Sequence, residues 1–170
     1  KKYYINKFNF IFDISDNNFK FQDLSLSINK IPLTSSKIYI KKNNENFLVE
    51  GVIENKNIDF KKDLLKLLLG SYYPKIEIKD LNFSSKNDFS FKINKKLKID
   101  NLELLSKVKL NNLIFLNKKK LKSIFPNIKD EINLYGHEIK INYNKKKLSL
   151  EGKGDILIQD EKDKIIYSVN

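Results

Sequence analysis

The chain has 170 residues, a formal net charge of +12, 41% hydrophobic and 12% aromatic residues, and neither cysteine nor methionine. That apolar fraction can form a core and is too high for a disordered chain, and the lack of Cys excludes disulfides and thiolate metal sites while fitting either redox compartment. Every basic residue is Lys; Arg, whose fork of donors grips phosphate bidentately, is missing, so the charge argues only weakly for nucleic acid or an anionic membrane.

The bias toward Lys, Asn, Ile, Phe, Tyr and Leu is the one that AT-rich coding favours. No apolar run reaches the roughly 18–20 residues a membrane-spanning helix needs, and no signal-peptide pattern follows Lys1. Lys1 and Ile165-Ile166-Tyr167-Ser168-Val169 both sit in strand-like surroundings. Both ends are therefore expected to be cuts in a longer chain, with any export signal or anchor outside this segment.

Alternation with a period of two, the mark of a strand with one apolar face, runs through the sequence. Phe8, Phe10, Phe12 and Ile14 share a face; Asp16-Asn17-Asn18 turns the chain into Phe19 and Phe21. Ile38 and Ile40 follow, then a turn at Asn43-Asn44-Glu45-Asn46 leads into Phe47, Val49, Gly51 and Ile53. Ile76 and Ile78 come next, then Phe89, Phe91 and Ile93, then Ile139, Ile141 and Tyr143. Leu148, Leu150, Gly152, Gly154, Ile156 and Ile158 complete the series, and Asp160-Glu161-Lys162-Asp163 is expected to turn into a last strand. About ten strands joined by short polar turns predict a mainly β fold, a long antiparallel meander.

One motif recurs within this pattern. Phe19-Lys20-Phe21-Gln22-Asp23-Leu24-Ser25-Leu26 has the form apolar, x, apolar, x, Asp or Asn, Leu, x, apolar. Ile76–Phe83, Leu97–Leu104 and Val108–Phe115 repeat it. Each copy has two polar residues where alternation allows one, which would send the second apolar pair to the wrong face. A β-bulge absorbs the extra residue and bends the strand, and Asp or Asn tolerates the irregular backbone. Repeated bending predicts a bent, groove-like sheet.

Two segments break the alternation and are expected to be short helices. The first runs near residues 60–69, with Asp59 or Asp63 as cap, Leu64, Leu65 and Leu68 on one face, and Gly70 as terminator. The second, Asn117 to Phe125, is stopped by Pro126. The first reads better as a lid on a sheet end than as a membrane-surface helix, its polar face being short. The whole reads as one segment, 1–170, divisible into sub-units 1–70 and 71–170.

Catalytic chemistry has little to stand on. His137 is the only histidine, so His- or Cys-based zinc sites are out of reach, and Gly136-His137-Glu138 is no nucleophile elbow; a strand-surface histidine without a partner is expected. Asp155, Asp160, Glu161 and Asp163 lack the spacing and glycine of a calcium loop. Gly152-Lys153-Gly154 lacks the flanking spacing of a phosphate loop and marks a bend or a close backbone approach instead. Aromatics and Lys lie on opposite faces, which describes a buried side and a solvated side rather than a nucleic-acid platform. No catalytic residue, cofactor or metal is expected, and an apolar face could be covered by a second sheet, by helices or by an apolar ligand.

The blocks Leu48-Val49-Glu50-Gly51-Val52-Ile53, Leu148–Ile158 and Asp163–Val169, with the four bulge motifs, resemble the AsmA-like and TamB-like envelope proteins, especially their AT-rich alphaproteobacterial versions. The resemblance spans most of the chain but rests on strand and glycine patterns and brings no catalytic residue. It implies a repeating β-groove that crosses the periplasm, anchored in the inner membrane by a segment outside this chain, and that conducts phospholipid toward the outer membrane. The expected partners are then acyl chains and neighbouring groove repeats of the same chain, with no nucleic acid. The expected lipid-facing residues are Phe8, Phe10, Phe12, Phe19, Phe21, Val49, Ile53, Ile76, Ile78, Phe89, Phe91, Ile93, Leu148, Leu150, Ile156 and Ile158.

Overall fold

The computed structural model describes residues 4–60, 77–116, 131–158 and 161–170. Among these residues every regular element is a β-strand: β1 (Ile5–Ser15), β2 (Asn18–Ile28), β3 (Ile31–Asn43), β4 (Asn46–Asp59), β5 (Glu77–Asn94), β6 (Ile99–Leu116), β7 (Glu131–Asn144), β8 (Lys147–Ile158) and β9 (Glu161–Val169). They form one sheet of nine strands in sequence order, each antiparallel to the next. β1 does not pair with β9, so the sheet is open. The expected meander is borne out. The two expected helices lie outside the described residues, save for Asp59 and Phe60 at the start of the first, where Asp59 is the last residue of β4.

Local chemistry explains the hairpins. Asp16-Asn17, Asn29-Lys30 and Lys145-Lys146 all have positive φ at both turn positions, the type I′ geometry whose twist matches that of the flanking strands. Asn and Asp enter this region at low cost. Between β5 and β6, the Asn94 side chain accepts from the backbone N–H of Lys96 at 2.9 Å and of Lys98 at 3.1 Å, and Leu97 takes a φ of 57°. The last expected turn is displaced: Glu161, Lys162 and Asp163 already belong to β9, opposite Ile158, Leu157 and Ile156.

The four repeated motifs all carry bulges. In β2, Asp23 (φ 48°) is the extra residue against β1, and in β6 Asn101 (φ 51°) is extra against β5. The register also slips at Lys79 of β5 and at Asn111 of β6. Further bulges fall at Lys7, Asn57 and Gly136, each with positive φ, and between Thr34 and Ile38. Each bulge returns the apolar residues beyond it to the original face. A side-chain ladder braces two of them, at Asn57 and Asn111, on the polar side: Asn111 donates to Asn82 at 2.5 Å and to Asn57 at 3.4 Å, Asn82 donates to Asp59, and Ser84 donates to Asn57 at 3.3 Å.

The sheet is a single layer, and its burial reflects that. Only Leu24, Val49, Ile58, Phe60 and Leu110 are buried hydrophobics among the described residues. Ile58 and Phe60 form a small cluster with Ile31, Ile78, Leu81 and Phe83. The chain exposes 12471 Å2, against roughly 8,700 Å2 expected for a compact domain of its 20.1 kDa mass. Much of the surface that a second layer would cover is left bare.

Candidate functional site: one apolar face

Following the register from strand to strand shows which side chains share a face. Phe12 is opposite Phe21, Phe21 opposite Ile38, Ile38 opposite Gly51, Gly51 opposite Phe89, Phe89 opposite Leu104, Leu104 opposite Tyr143 and Tyr143 opposite Leu148. A parallel row holds Ile14, Phe19, Ile40, Val49 and Phe91. Another joins Ile53, Asn87, Ser106, Ile141, Leu150 and Val169. With the bulges counted, Phe8, Phe10, Ile78, Ile93, Ile156 and Ile158 fall on the same side. Of the sixteen residues singled out from the sequence, all but Ile76 are therefore on one face; Ile76 lies outside the described residues.

Exposure varies along this face. At the β1 edge, Phe8, Phe10 and Phe12 are 51%, 42% and 42% exposed. With Phe19 and Phe21 they form a contiguous aromatic patch, the ring centroids of Phe8 and Phe10 and of Phe12 and Phe21 lying 4.8 Å apart. Phe12 stacks on Phe19 at 6.0 Å. Ile99, Leu102 and Leu148 are also exposed. Nothing among the described residues covers this side.

The centre of the face is partly polar, which alternation does not disclose. Ser85 and Ser106 are buried there. Asn87 donates to the Ile53 carbonyl at 3.0 Å and to the Ser85 hydroxyl at 2.8 Å, and the Asn55 side chain accepts from the Ser85 backbone N–H at 2.9 Å. These groups satisfy one another beside the Asn57 bulge, so they cost the face little.

His137 corrects the expectation of a partnerless surface histidine. In phase with Ile139, Ile141 and Tyr143, and next to the bulge at Gly136 (φ +62°), it lies on the apolar face opposite Leu110, where it is 0% exposed. Its Nε2 lies 2.9 Å from the Asp155 carbonyl, which can only accept, so Nε2 carries the proton and donates. Nδ1 is then the acceptor for the Tyr167 hydroxyl at 3.1 Å. Partial burial raises the Tyr167 hydroxyl above the usual phenol pKa. Both rings lie over glycines. A Cβ on Gly152 would sit 2.5 Å from the Tyr167 ring, and one on Gly154 would sit 2.7 Å from the His137 Cα and closer still to its ring. The expected close backbone approach at Gly152-Lys153-Gly154 is thus present. A Gly-x-Gly inside a strand, paired with the lone histidine and a tyrosine on flanking strands, was the available signal.

The opposite face is a lattice of charges. Lys86 pairs with Glu54 at 3.2 Å, Lys140 with Glu151 at 3.1 Å, Lys153 with Glu138 at 3.3 Å, and Lys41 with Glu50. Lys162 lies 3.0 Å from Asp155, and this hydrogen bond raises the ammonium pKa. Exposed pairs of this kind add little to stability. A depression of about 700 Å3 opens on this side, walled by Lys107, Lys109, Glu138, Lys140, Glu151 and Lys153 together with the exposed Ile166. No group of His, Asp and Glu able to hold a metal occurs among the described residues, and no helix there is long and apolar enough to cross a membrane.

No family model, curated protein or solved structure matches the chain.

Proposed function

We propose that this chain is a segment of an AsmA-like envelope protein, anchored in the inner membrane by a part outside it, whose apolar face shields phospholipid acyl chains in the periplasm on their way to the outer membrane. The observation that carries this reading is the face itself. Its apolar side chains run across nine strands, interrupted at the centre by Ser85, Asn87 and Ser106, and it is open and led by half-exposed phenylalanines at one edge. Keeping a methylene from water is worth roughly 0.8 kcal/mol, so a two-chain lipid crossing water bare faces a barrier on the order of 20 kcal/mol. A broad track of Phe, Ile and Leu lowers that barrier without a tight pocket, as transport through many weak contacts requires. The histidine on this face, His137, is buried with both ring nitrogens hydrogen-bonded.

The test places a charge on exposed positions of the face, where folding tolerates it. Leu102→Asp and Leu148→Asp should remain folded yet lose photo-crosslinking of lipid at neighbouring positions. Folded variants with undiminished crosslinking would sink the reading.

A second reading, a structural β domain of an envelope protein, is favoured by the polar cluster of Asn55, Ser85, Asn87 and Ser106 that interrupts the face. It predicts wild-type protein free of lipid after purification.

A further inference from the structure

The lysines of this chain are not all neutralised alike. On the polar face Lys41, Lys86, Lys140 and Lys153 each pair with a glutamate. The pattern changes at the end of the sheet formed by the β5–β6 and β7–β8 turns, which read Lys95-Lys96-Leu97-Lys98 and Lys145-Lys146-Lys147. Lys95 pairs with Glu45 at 3.1 Å. Lys96, Lys98, Lys145, Lys146 and Lys147 have no carboxylate partner among the described residues. The same end carries bare aliphatic side chains: Leu97 is 83%, Ile99 63%, Leu148 58% and Leu102 40% exposed. The register makes a notch of them. β6 makes its last pair with β7 at Leu104 and Tyr143, and residues 99–103 run on beside β5 alone, roughly 15 Å past the β7–β8 turn. Ile99 and Leu102 line this overhang, Leu148 lies at its foot, and all three continue the apolar face. Leu97, at the tip, keeps a left-handed backbone (φ 57°), a strain of the kind that persists at functional sites.

We propose that this notch takes the headgroup of the carried lipid, and that its lysines select glycerophospholipids whose headgroup bears a net negative charge. The inference rests on the reading of the face as a lipid track and adds the substrate class. Strand ends form the rims of a groove whose axis crosses the strands, so chains lying on the face leave their headgroup at a hairpin rim. The phosphate does not follow the chains onto the face, because an ion taken from water without partners is costly. The notch matches both halves of such a ligand. Ile99, Leu102 and Leu148 meet the first methylenes, while the long stems of Lys98, Lys145 and Lys147 carry their ammoniums around the rim to the phosphate. No carboxylate neutralises these ammoniums, so their attraction for an anion is undiminished. A zwitterionic headgroup brings its own cation to the same lysines and gains less.

Photo-crosslinking tests the selection with two short-chain probes, phosphatidylglycerol and phosphatidylcholine, carrying the same photoreactive acyl chain. Both are held below their critical micelle concentrations, so that no bilayer forms. Wild type should crosslink the anionic lipid about five- to tenfold more than the zwitterionic one at low salt, and the preference should shrink below about twofold at ~0.5 M salt. Lys96→Gln with Lys98→Gln and Lys147→Gln should remove most of the preference and leave crosslinking of phosphatidylcholine unchanged. Lys56→Gln with Lys107→Gln and Lys109→Gln removes the same charge away from the notch and should leave the preference intact. All six lysines are exposed, and circular dichroism checks that both variants remain β-rich. Millimolar glycerol 1-phosphate, which has the phosphate but no chains, should not compete. Equal crosslinking of the two lipids, an equal loss in the distal variant, or competition by glycerol 1-phosphate would each overturn the selection while leaving the track standing. Crosslinking of neither lipid would remove the track and the proposal with it.

Discussion

The imidazole of His137 occupies the space that a side chain at position 154 would need: a Cβ there would lie 2.7 Å from the His137 Cα and nearer still to the ring. The relationship makes two strands depend on one pair of residues. Gly154→Ala should destabilise the chain by about 2 kcal/mol or more through overpacking. His137→Ala should cost about 2–4 kcal/mol, because it removes a fully buried ring and leaves the Asp155 carbonyl and Tyr167 hydroxyl unpaired. The double variant should cost at least about 1 kcal/mol less than the sum. Urea denaturation of all four proteins checks the cycle, and strict additivity would refute it.

Tyr167 links stability to alkaline pH. Burial raises its pKa in the folded state above the model-compound value near 10, so the folded chain holds this proton more tightly than the unfolded chain. The contribution is therefore fully present below about pH 10 and is lost as pH rises through the folded pKa. Tyr167→Phe loses the His137 hydrogen bond at all pH values, so it should be less stable at pH 8. The gap to wild type should narrow above pH 10, as read from urea midpoints; a gap that widens there contradicts the assignment.

Val49 and Phe91 face each other across β4 and β5, yet a charge should act differently at each. Val49 is 6% exposed, so Val49→Asp should unfold the chain or cost several kcal/mol. Phe91 is only partly buried, and Phe91→Asp should cost clearly less. Thermal melts of the two variants make the comparison, and equal losses would mean that the apolar face is closed over Phe91.

Leu97 holds a φ of 57° while its side chain is 83% exposed. A non-glycine residue loses about 1–2 kcal/mol in the left-handed region, and almost no packing offsets that here. Leu97→Gly should raise stability by about 0.5–1 kcal/mol, visible as a higher melting temperature. A lower one would place Leu97 in a contact that its exposure denies.

Nucleic-acid binding should be weak despite the net charge of +12, since lysines of the polar face are interleaved with Glu and Asp partners. Affinity for a mixed oligonucleotide should fade at ~0.2 M salt. Sub-micromolar binding surviving at that salt would contradict this reading of the surface.

Alternation alone determined that the chain is β, that neighbouring strands pair in sequence order, and that Phe8, Phe10, Phe12, Val49, Phe89 and Leu150 belong to one face. Side chains of a strand alternate strictly, so local sequence carries that information. In two of the four repeated motifs the Asp or Asn, Asp23 and Asn101, even marked a bulge with a left-handed backbone, which selects for them. The same rule puts His137 in phase with Ile139, Ile141 and Tyr143, but it could not show what buries the ring. Its burial depends on two glycines of the next strand leaving room for it and for Tyr167. Likewise, no periodicity distinguishes an apolar face that is covered from one that is bare. Only the pairing of strands in space, which leaves β1 and β9 apart and the Phe patch open, decided that this sheet is a single open layer.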